Sequence, residues 1–366
     1  MRRHYIDNLR TFAVLMLFAY HAAMIFNSFE SFYIHVRPVG AMNMFITLAW
    51  PFYMPLLFAL AGISSAYALA KRNARQYVAE RVRRLLIPLL SGILLLVPMQ
   101  TYFAERYHNG YTGSYFAQYI LFFTKPTDLT GYHGGFTPGQ LWFVLYLIVI
   151  SLLALPPMLW YNNRGTSIDA SKLTLPVLLP MFVLPLVLSP VLNIGGKGVG
   201  EYFAYFMLGF LLLCRDEVVE CLRRHRWLLI ALAALLLVVN ALLYSRLSGN
   251  LSLITDILSR AAGWTAVLAL LGAGRQWLDF TNRSLTYLAK ASFTIYVFHQ
   301  SWLVAAAYYV CRATDSTPVI FILTIVISLV LTIASYEVVK RFRVTRWMFG
   351  LEGAKKVSNK KGEITL

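Results

Sequence analysis

The stretch YIDNLRTFAVLMLFAYHAAMIF, residues 5–26, has the length and the apolar content of a helix that crosses a lipid bilayer. It also carries an acid, a guanidinium and an imidazole, which are Asp7, Arg10 and His21. At about 100° and 1.5 Å per residue, these side chains share one face of the helix, and His21 lies roughly 16 Å beyond Arg10. Arg10 is therefore expected near the membrane surface and His21 near the midplane. Ionisable groups at that depth are costly, which favours a functional role for His21 over simple helix packing.

The rest of the chain is equally apolar. Of its 366 residues 58% are hydrophobic and only 13% are charged, a balance far from that of an ordinary globular domain. The apolar stretches are continuous and about 20 residues long, as transmembrane helices require. Ten spans are predicted, at residues 12–28, 44–70, 85–104, 139–161, 173–193, 200–214, 227–245, 254–273, 291–311 and 317–339. The sequence therefore predicts an all-α, polytopic membrane protein, with a kink in its proline-rich fifth span.

The positive charges decide the predicted orientation. The formal net charge is +17, and most of the 33 Lys and Arg residues fall in alternate loops, beginning with the N-terminus. Positively charged loops stay in the cytoplasm, so both termini are predicted to be cytoplasmic. The basic residues are spread over many helix ends, so no nucleic-acid partner is expected. Residues 1–345 are predicted to form the transmembrane domain and residues 346–366 a basic cytoplasmic tail.

Cysteine and motif content excludes several kinds of site. Cys214, Cys221 and Cys311 are too few and too far apart for a disulfide framework or a metal site. The sequence contains neither a metal-binding motif nor a phosphate-binding Walker motif. No metal is therefore expected to take part in the chemistry.

A second intramembrane histidine occurs in ASFTIYVFHQSWL, residues 291–303. Ser292, Tyr296 and His299 fall on one side of this predicted helix. His299 lies roughly 13 Å from the cytoplasmic end of the span, so the two imidazoles are expected at similar depth. They are predicted to share one cavity, and the alternative is that each histidine only hydrogen-bonds to a neighbouring helix.

The segment KRNARQYVAERVRRLLIP, residues 71–88, is the densest basic run among the predicted cytoplasmic loops. Arg81 and Arg84 are three residues apart and would project from one side of a helix. Guanidinium groups placed in this way bind phosphate through paired hydrogen bonds. The alternative is a run that only fixes topology and binds anionic lipid. Because Arg10 opens onto the same membrane surface, a phosphorylated ligand is predicted to lie there, with an arm that reaches toward His21.

The longest loop, residues 105–138, lies on the predicted extracytoplasmic side. It contains His108, His133 and several tyrosines, and it leads into GQLWFVLYL, residues 139–147. Its length and aromatic content favour a lid or a sugar-binding platform. An ordinary interfacial aromatic belt is the alternative.

Two further sets of charges are predicted to be structural. Asp256 and Arg260 are four residues apart and are expected to form an intramembrane ion pair. Glu337 is expected to pair with Lys340 or Arg341 at the cytoplasmic end of the last span.

The order of these motifs resembles that of the membrane-bound acyltransferase-3 family. In that family an Asp-x-x-Arg segment precedes an intramembrane histidine, as YIDNLRTFAVLMLFAYHA does here with Asp7, Arg10 and His21. RVRRLLIP, residues 81–88, resembles the family's Arg-x-x-Arg element, which falls on Arg81 and Arg84. LWFVLYL and SFTIYVFHQ resemble its later blocks, and the similarity covers nearly the whole chain.

The resemblance implies transfer of an acyl group from cytoplasmic acyl-CoA, with acetyl-CoA or succinyl-CoA as the expected co-substrate, to a hydroxyl of a cell-surface glycan. It implies a stand-alone enzyme of the bacterial cytoplasmic membrane, with no fused hydrolase-like domain after the tenth span. We assign the implied roles as follows: catalysis to His21, Asp7 and His299; acyl-CoA phosphate binding to Arg10, Arg81 and Arg84; acceptor binding to Trp142, Tyr296 and Glu30.

Several alternatives stay open at the level of sequence. His21 either acts as a general base on the acceptor hydroxyl or takes the acyl group covalently. Glu30 is the only acid soon after His21. A transporter or flippase for a lipid-linked sugar or small anion would also use many spans, buried histidines and proline-broken helices. The absence of an internal repeat argues against it. A lipid-binding or sensory protein would account for the charge pattern alone.

Overall fold

The opening stretch forms one α-helix, α1 (His4–Met24), at the centre of a helical bundle. It begins after Arg3, and Asp7 lies in its first turn, where a carboxylate is stabilised by the positive end of the helix dipole. Four long helices pack around α1, namely α2 (Gly40–Leu69), α14 (Ser252–Trp277), α15 (Arg283–Ala313) and α16 (Thr317–Val339). His21 therefore lies among neighbouring helices, whereas the side chain of Arg10 is 36% exposed.

The computed structural model describes residues 3–127, 129–164, 168–169, 172–194, 196–246 and 252–351. The remaining α-helices of these residues are α3 (Ala74–Arg81), α4 (Ile87–Leu95), α5 (Val97–His108), α6 (Tyr115–Thr124), α7 (Trp142–Leu153), α8 (Leu155–Asn163), α9 (Leu175–Leu178), α10 (Val183–Leu188), α11 (Val199–Leu208), α12 (Asp216–Arg224), α13 (Arg226–Arg246) and α17 (Arg343–Met348). A short antiparallel hairpin of β1 (Asn193–Ile194) and β2 (Lys197–Gly198) precedes α11.

Six helical runs within the described residues are long and apolar enough to cross a bilayer. They are Gly40–Leu69, Ala74–His108, Gly139–Asn163, Arg226–Tyr244, Leu253–Trp277 and Thr317–Val339. The other four predicted spans coincide with α1, with α15 and with two shorter apolar helices, Leu175–Leu188 and Val199–Leu213. A helical membrane protein is thus supported, while the count of ten spans and the cytoplasmic termini stay predictions.

The helical runs are interrupted where prolines or wide turns occur. The proline-rich fifth span is divided into α9, a 3₁₀ turn (Leu179–Phe182) and α10, because proline donates no hydrogen bond to the preceding turn. This confirms the predicted break. A π-helical turn (Val82–Leu86) joins α3 to α4 directly after Arg81, a local irregularity that is frequent at functional sites.

Glycines set the distance between α2 and α11. A Cβ atom on Gly62 of α2 would lie 1.9 Å from the carbonyl oxygen of Phe206, and one on Gly209 would lie 2.2 Å from the carbonyl oxygen of Ala59. The two backbones therefore touch, as in the small-residue contacts of other membrane helices. This contact fixes the part of α2 that carries Ser64 and Ser65.

The end of the described chain folds back onto the bundle. Phe349, just after α17, is almost fully buried, and its ring lies 4.7 Å from that of Phe298 on α15. The predicted boundary between residues 345 and 346 falls inside α17. Most of the predicted tail, residues 352–366, lies outside the described residues.

Candidate active site

The structure brings the two intramembrane histidines together. The imidazole rings of His21 and His299 are 5.3 Å apart between centroids, at an angle of 34°. His299 is fully buried and His21 is half-buried. The histidines are neighbours because they lie at similar depth and because α1 packs directly against α15.

The hydrogen bonding of His299 indicates where its proton lies. Its Nδ1 is 2.6 Å from the backbone oxygen of Tyr296. Because a carbonyl oxygen only accepts, Nδ1 carries the hydrogen and Nε2 keeps a free lone pair. No atom of the described chain hydrogen-bonds to His299 Nε2 or to His21 Nδ1, although both atoms are buried. Unmatched buried nitrogens are uncommon and often belong to catalytic sites.

A polar network fixes the segment of α15 that carries His299. The Gln100 side chain donates to Gln140 Oε1 and to Ser301 Oγ, each over 2.7 Å, and Gln140 in turn donates to the Val297 backbone oxygen over 2.7 Å. The hydroxyl of Tyr296 donates to the backbone oxygen of Gln140. Tyr296 thus lies beside His299, with the two ring centroids 5.7 Å apart. Gln100 and Gln140 could not be recognised from the sequence, because an isolated amide side chain produces no periodic pattern.

An aromatic side chain covers His21 from the predicted extracytoplasmic side. The ring of Phe32, in the loop after α1, is stacked on the imidazole at 6.0 Å with an angle of 8° between the planes. The backbone oxygen of Phe32 lies 2.7 Å from Nε2 of His108 on α5. Tyr132 of the predicted lid loop packs against Phe32 and Tyr33. The long loop therefore acts on the site through Phe32, a residue that no sequence motif marked.

At the other end of the same helix face, Arg10 is held by two partners. Its Nη1 lies 3.3 Å from Oδ1 of Asp7, and its Nη2 donates to Oγ of Ser64 over 2.8 Å. Asp7 is fourteen residues from His21, a separation of about 21 Å along a helix. The structure therefore places Asp7 with Arg10 and not with the histidines.

Arg81 approaches the next residue of α2. Its Nη2 donates to Ser65 Oγ over 2.7 Å and to the Tyr77 hydroxyl over 3.1 Å, and the guanidinium lies 4.6 Å from the centre of the Tyr77 ring. Since Ser64 and Ser65 are adjacent, Arg10 and Arg81 are both anchored at one end of α2. The serine hydroxyls orient both guanidiniums, and Asp7 partly offsets the charge of Arg10.

Arg84 is placed differently. Its Nε lies 3.1 Å from Oε1 of Glu80, which also pairs with Arg72 over 2.6 Å. The wide π-helical turn that starts at Val82 changes the angle between positions 81 and 84. Both arginines therefore contact α3, Arg81 through Tyr77 and Arg84 through Glu80, and Arg81 also binds Ser65 of α2.

The two other predicted acceptor residues, Glu30 and Trp142, have surroundings of their own. Glu30 lines a cavity of about 360 Å³, and Trp142 packs at 5.7 Å from Tyr202 and lies 5.2 Å from the Lys197 ammonium. Burial raises the pKa of Glu30, and the positive charge of Lys197 partly offsets that rise. Glu30 and Lys197 thus interact electrostatically, although Glu30 makes no contact with His21 that would identify it as the acid partner of the histidine.

Both structural charge predictions are confirmed. Arg260 binds Asp256 over 2.6 Å and also Glu201 over 3.0 Å. Glu337 pairs with Lys340 over 2.5 Å and accepts a hydrogen bond of 2.7 Å from the Tyr287 hydroxyl.

Comparison with known proteins agrees with this arrangement. A family model described as an acyltransferase domain matches residues 3–337. The chain is 21% identical to glucans biosynthesis protein C of Salmonella heidelberg and of Salmonella typhi, and 20% identical to that of Salmonella agona. Each alignment covers 95% of this chain and 94% of the relative. No solved structure matches the chain. Because the family model spans nearly the whole sequence, the chain belongs to the acyltransferase-3 family.

Proposed function

We propose that the protein transfers an acyl group, acetyl or succinyl, from cytoplasmic acyl-CoA to a hydroxyl of an extracytoplasmic glycan. The observation that carries the proposal is the adjacent pair of His21 and His299, in which one buried nitrogen of each ring has no partner in the described chain. It lies on the same face of α1 as Arg10. The relatives named for glucan biosynthesis support a glycan acceptor.

Arg10 and Arg81 are the residues we assign to the CoA phosphates. Arginine binds phosphate through several charge-assisted hydrogen bonds, and both guanidiniums are oriented by serine hydroxyls of α2. Arg84 contributes less directly, because Glu80 already holds it. With the phosphates bound at this end of α2, the pantetheine arm extends along α1 toward His21.

In the proposed reaction His21 acts as the general base. It takes the proton of the acceptor hydroxyl while the hydroxyl oxygen attacks the thioester carbonyl carbon. The carbon–sulfur bond then breaks, the ester is complete, and the CoA thiolate takes the proton from the imidazolium. The Nδ1 hydrogen of His299 is bound to the Tyr296 carbonyl. This bond fixes the ring of His299, which packs beside that of His21 with 5.3 Å between the centroids. The buried site excludes bulk water from the thioester.

The test is an assay of purified protein in lipid nanodiscs with acetyl-CoA and succinyl-CoA. Thiol release that depends on an added glucan, together with an ester on that glucan, is expected. The His21→Ala variant should lose this activity, while His225→Ala, at an exposed site after α12, should keep it. A transporter would move its cargo without releasing thiol. Absence of thiol release with every acyl-CoA and acceptor, or full activity of His21→Ala, would reject the proposal.

A further inference from the structure

The cavity that contains Glu30 is separate from the histidine site. It lies between α1, the loop after α1, α2, α13 and α14, at the predicted extracytoplasmic end of the bundle. Its volume of about 360 Å³ lies within the range of about 300–1,000 Å³ that small-molecule sites have. Its lining includes Tyr20, Glu30, Trp50, Asn240, Asp256 and Ser259.

The side chain of Asn240 is the most informative group in this cavity. Only 5% of Asn240 is exposed, and the residue lines the cavity. A carboxamide offers two donors and one acceptor oxygen. An amide that lines a cavity suits a ligand with both donor and acceptor atoms.

The charges around the cavity restrict the nature of that ligand. Glu30 and Asp256 both contribute carboxylates to the wall. The positive charge of Arg260 is already neutralised by Asp256 and by Glu201. Arg260 is therefore shared between two carboxylates and offers little positive charge to a phosphate, whereas neutral hydroxyl groups can donate to carboxylate oxygens.

Aromatic side chains complete the wall. Trp50 and Tyr244 are each about half exposed, at 49% and 50%, and both line the cavity. An aromatic face packs against the apolar C–H face of a sugar ring, while amide and carboxylate groups bind its hydroxyls. The combination of Trp50, Asn240 and Asp256 therefore matches a neutral sugar better than a lipid headgroup.

The cavity and the histidines are separated by one residue. Tyr20 lines the cavity, and the centroid of its ring lies 5.5 Å from that of His21, edge on. A sugar in the cavity therefore lies close to the histidine site without touching it. A neighbouring unit of the same glycan would be needed to bring a hydroxyl to His21.

We propose that this cavity is an accessory acceptor site, which binds a neutral sugar unit next to the unit that is acylated. Asn240, Asp256 and Ser259 hydrogen-bond its hydroxyls, and Trp50 packs against its ring. This proposal rests on the proposed glycan acyl transfer. It makes the enzyme selective for glycans of at least two units, because a single sugar fills the accessory site without presenting a hydroxyl to His21.

The experiment measures binding of neutral glucose disaccharides, one of each linkage, to the purified protein in nanodiscs without acyl-CoA. At least one disaccharide should bind, and Asn240→Leu and Ser259→Ala should each weaken its binding about tenfold, the loss expected for a missing hydrogen bond of about 1.4 kcal/mol. The matched control is Thr324→Val, which removes a fully buried hydroxyl from α16, away from this cavity. Thermal unfolding of each variant shows whether it is folded, and the two cavity variants provide independent tests.

Unchanged disaccharide affinity in a folded Asn240→Leu or Ser259→Ala variant would overturn the accessory site. So would a lipid that copurifies with the wild type and is lost from Asn240→Leu, since the cavity would then bind a headgroup. Binding that depends on Asn240, in a protein that releases no thiol from any acyl-CoA, would instead retain the sugar site and reject acyl transfer. The two failures are thus distinguishable.

Discussion

At the residue scale, His299 differs from His21 because one of its ring nitrogens already forms a hydrogen bond. The Tyr296 carbonyl holds the Nδ1 hydrogen, so the ring has a fixed orientation and a fixed free nitrogen. His21 has no such bond at its buried Nδ1 within the described chain. We therefore assign the proton transfer to His21 and the positioning of its ring to His299.

This division of roles predicts that the two alanine substitutions lower kcat by different amounts. His21→Ala should lower kcat by about 10²–10⁴-fold, the usual contribution of a general base. His299→Ala should lower kcat by about tenfold, because the base remains but is less well oriented, and His299→Gln should recover part of the loss through a side-chain acceptor. The pH dependence of kcat is measured for each variant, because the loss of a residue that positions the base is expected to shift the pH–rate profile. Equal losses in both alanine variants would contradict the division.

The three predicted phosphate-binding arginines are also expected to differ. Arg81→Ala should raise the KM for acyl-CoA by roughly tenfold to a hundredfold, since it removes charge-assisted hydrogen bonds worth about 1.5–3 kcal/mol. Arg84→Ala should have a smaller effect, because Glu80 already pairs with Arg84. The exposed Arg83 provides the control.

A pantetheine thioester without the nucleotide is the second measurement. Its KM should be unchanged by Arg81→Ala, since it lacks the phosphates that the arginine binds. An equal loss with both donors would show that the substitution acts on folding.

These residues show how far the sequence can be read. The depth of His21 and His299 follows from counting residues along straight helices, so their proximity is predictable. Ser64, Ser65 and Phe32 act through contacts between elements that are distant in the chain, and ordinary residue types mark none of them. Asp7 shares the correct helix face, but the distance along the helix separates it from the histidines.

At the scale of elements, the close approach of α2 and α11 holds Ser64 and Ser65 in place. We predict that Gly209→Ala destabilises the fold by about 1–3 kcal/mol, because the added methyl group would lie 2.2 Å from the Ala59 carbonyl oxygen. A lower midpoint of thermal unfolding and a higher KM for acyl-CoA are expected. Gly40→Ala is the control, since a Cβ at Gly40 meets nothing within 4 Å. Identical melting of both variants would show that the contact is not tight.

Apolar length and proline spacing predict most of these elements, including the break in the fifth span. The π-helical turn after Arg81 has no comparable signal, because its sequence VRRLL is compatible with a regular helix. The sequence therefore could not show that the side chain of Arg84 pairs with Glu80. The polar first and ninth predicted spans, α1 and α15, are the two that contain the histidines.

At the scale of the whole molecule, the guanidiniums of Arg10 and Arg81 lie at one end of the bundle, and the cavity that contains Glu30 lies at the other. We predict that acyl-CoA supplied on the cytoplasmic side of oriented vesicles supports acylation of a glucan confined to the other side. The measurement is the ester content of the enclosed glucan, with vesicles of opposite orientation as the control. A requirement for both substrates in one compartment would exclude transfer across the membrane.

The stacking of Phe32 on His21 also bears on the energy supply of the cell. A route that admits an acyl donor from one side and a sugar from the other would, if continuous, let protons flow down their gradient and dissipate the proton-motive force. Phe32 is 3% exposed and its ring is stacked on the imidazole of His21, where it would interrupt such a route. We predict that Phe32→Ala makes proteoliposomes permeable to protons, as shown by faster decay of an imposed pH gradient with an enclosed dye. Phe116→Ala, at a position that is 79% exposed, should leave the gradient intact. A cell that carries the Phe32 variant would therefore grow slowly even when its glycans are fully acylated.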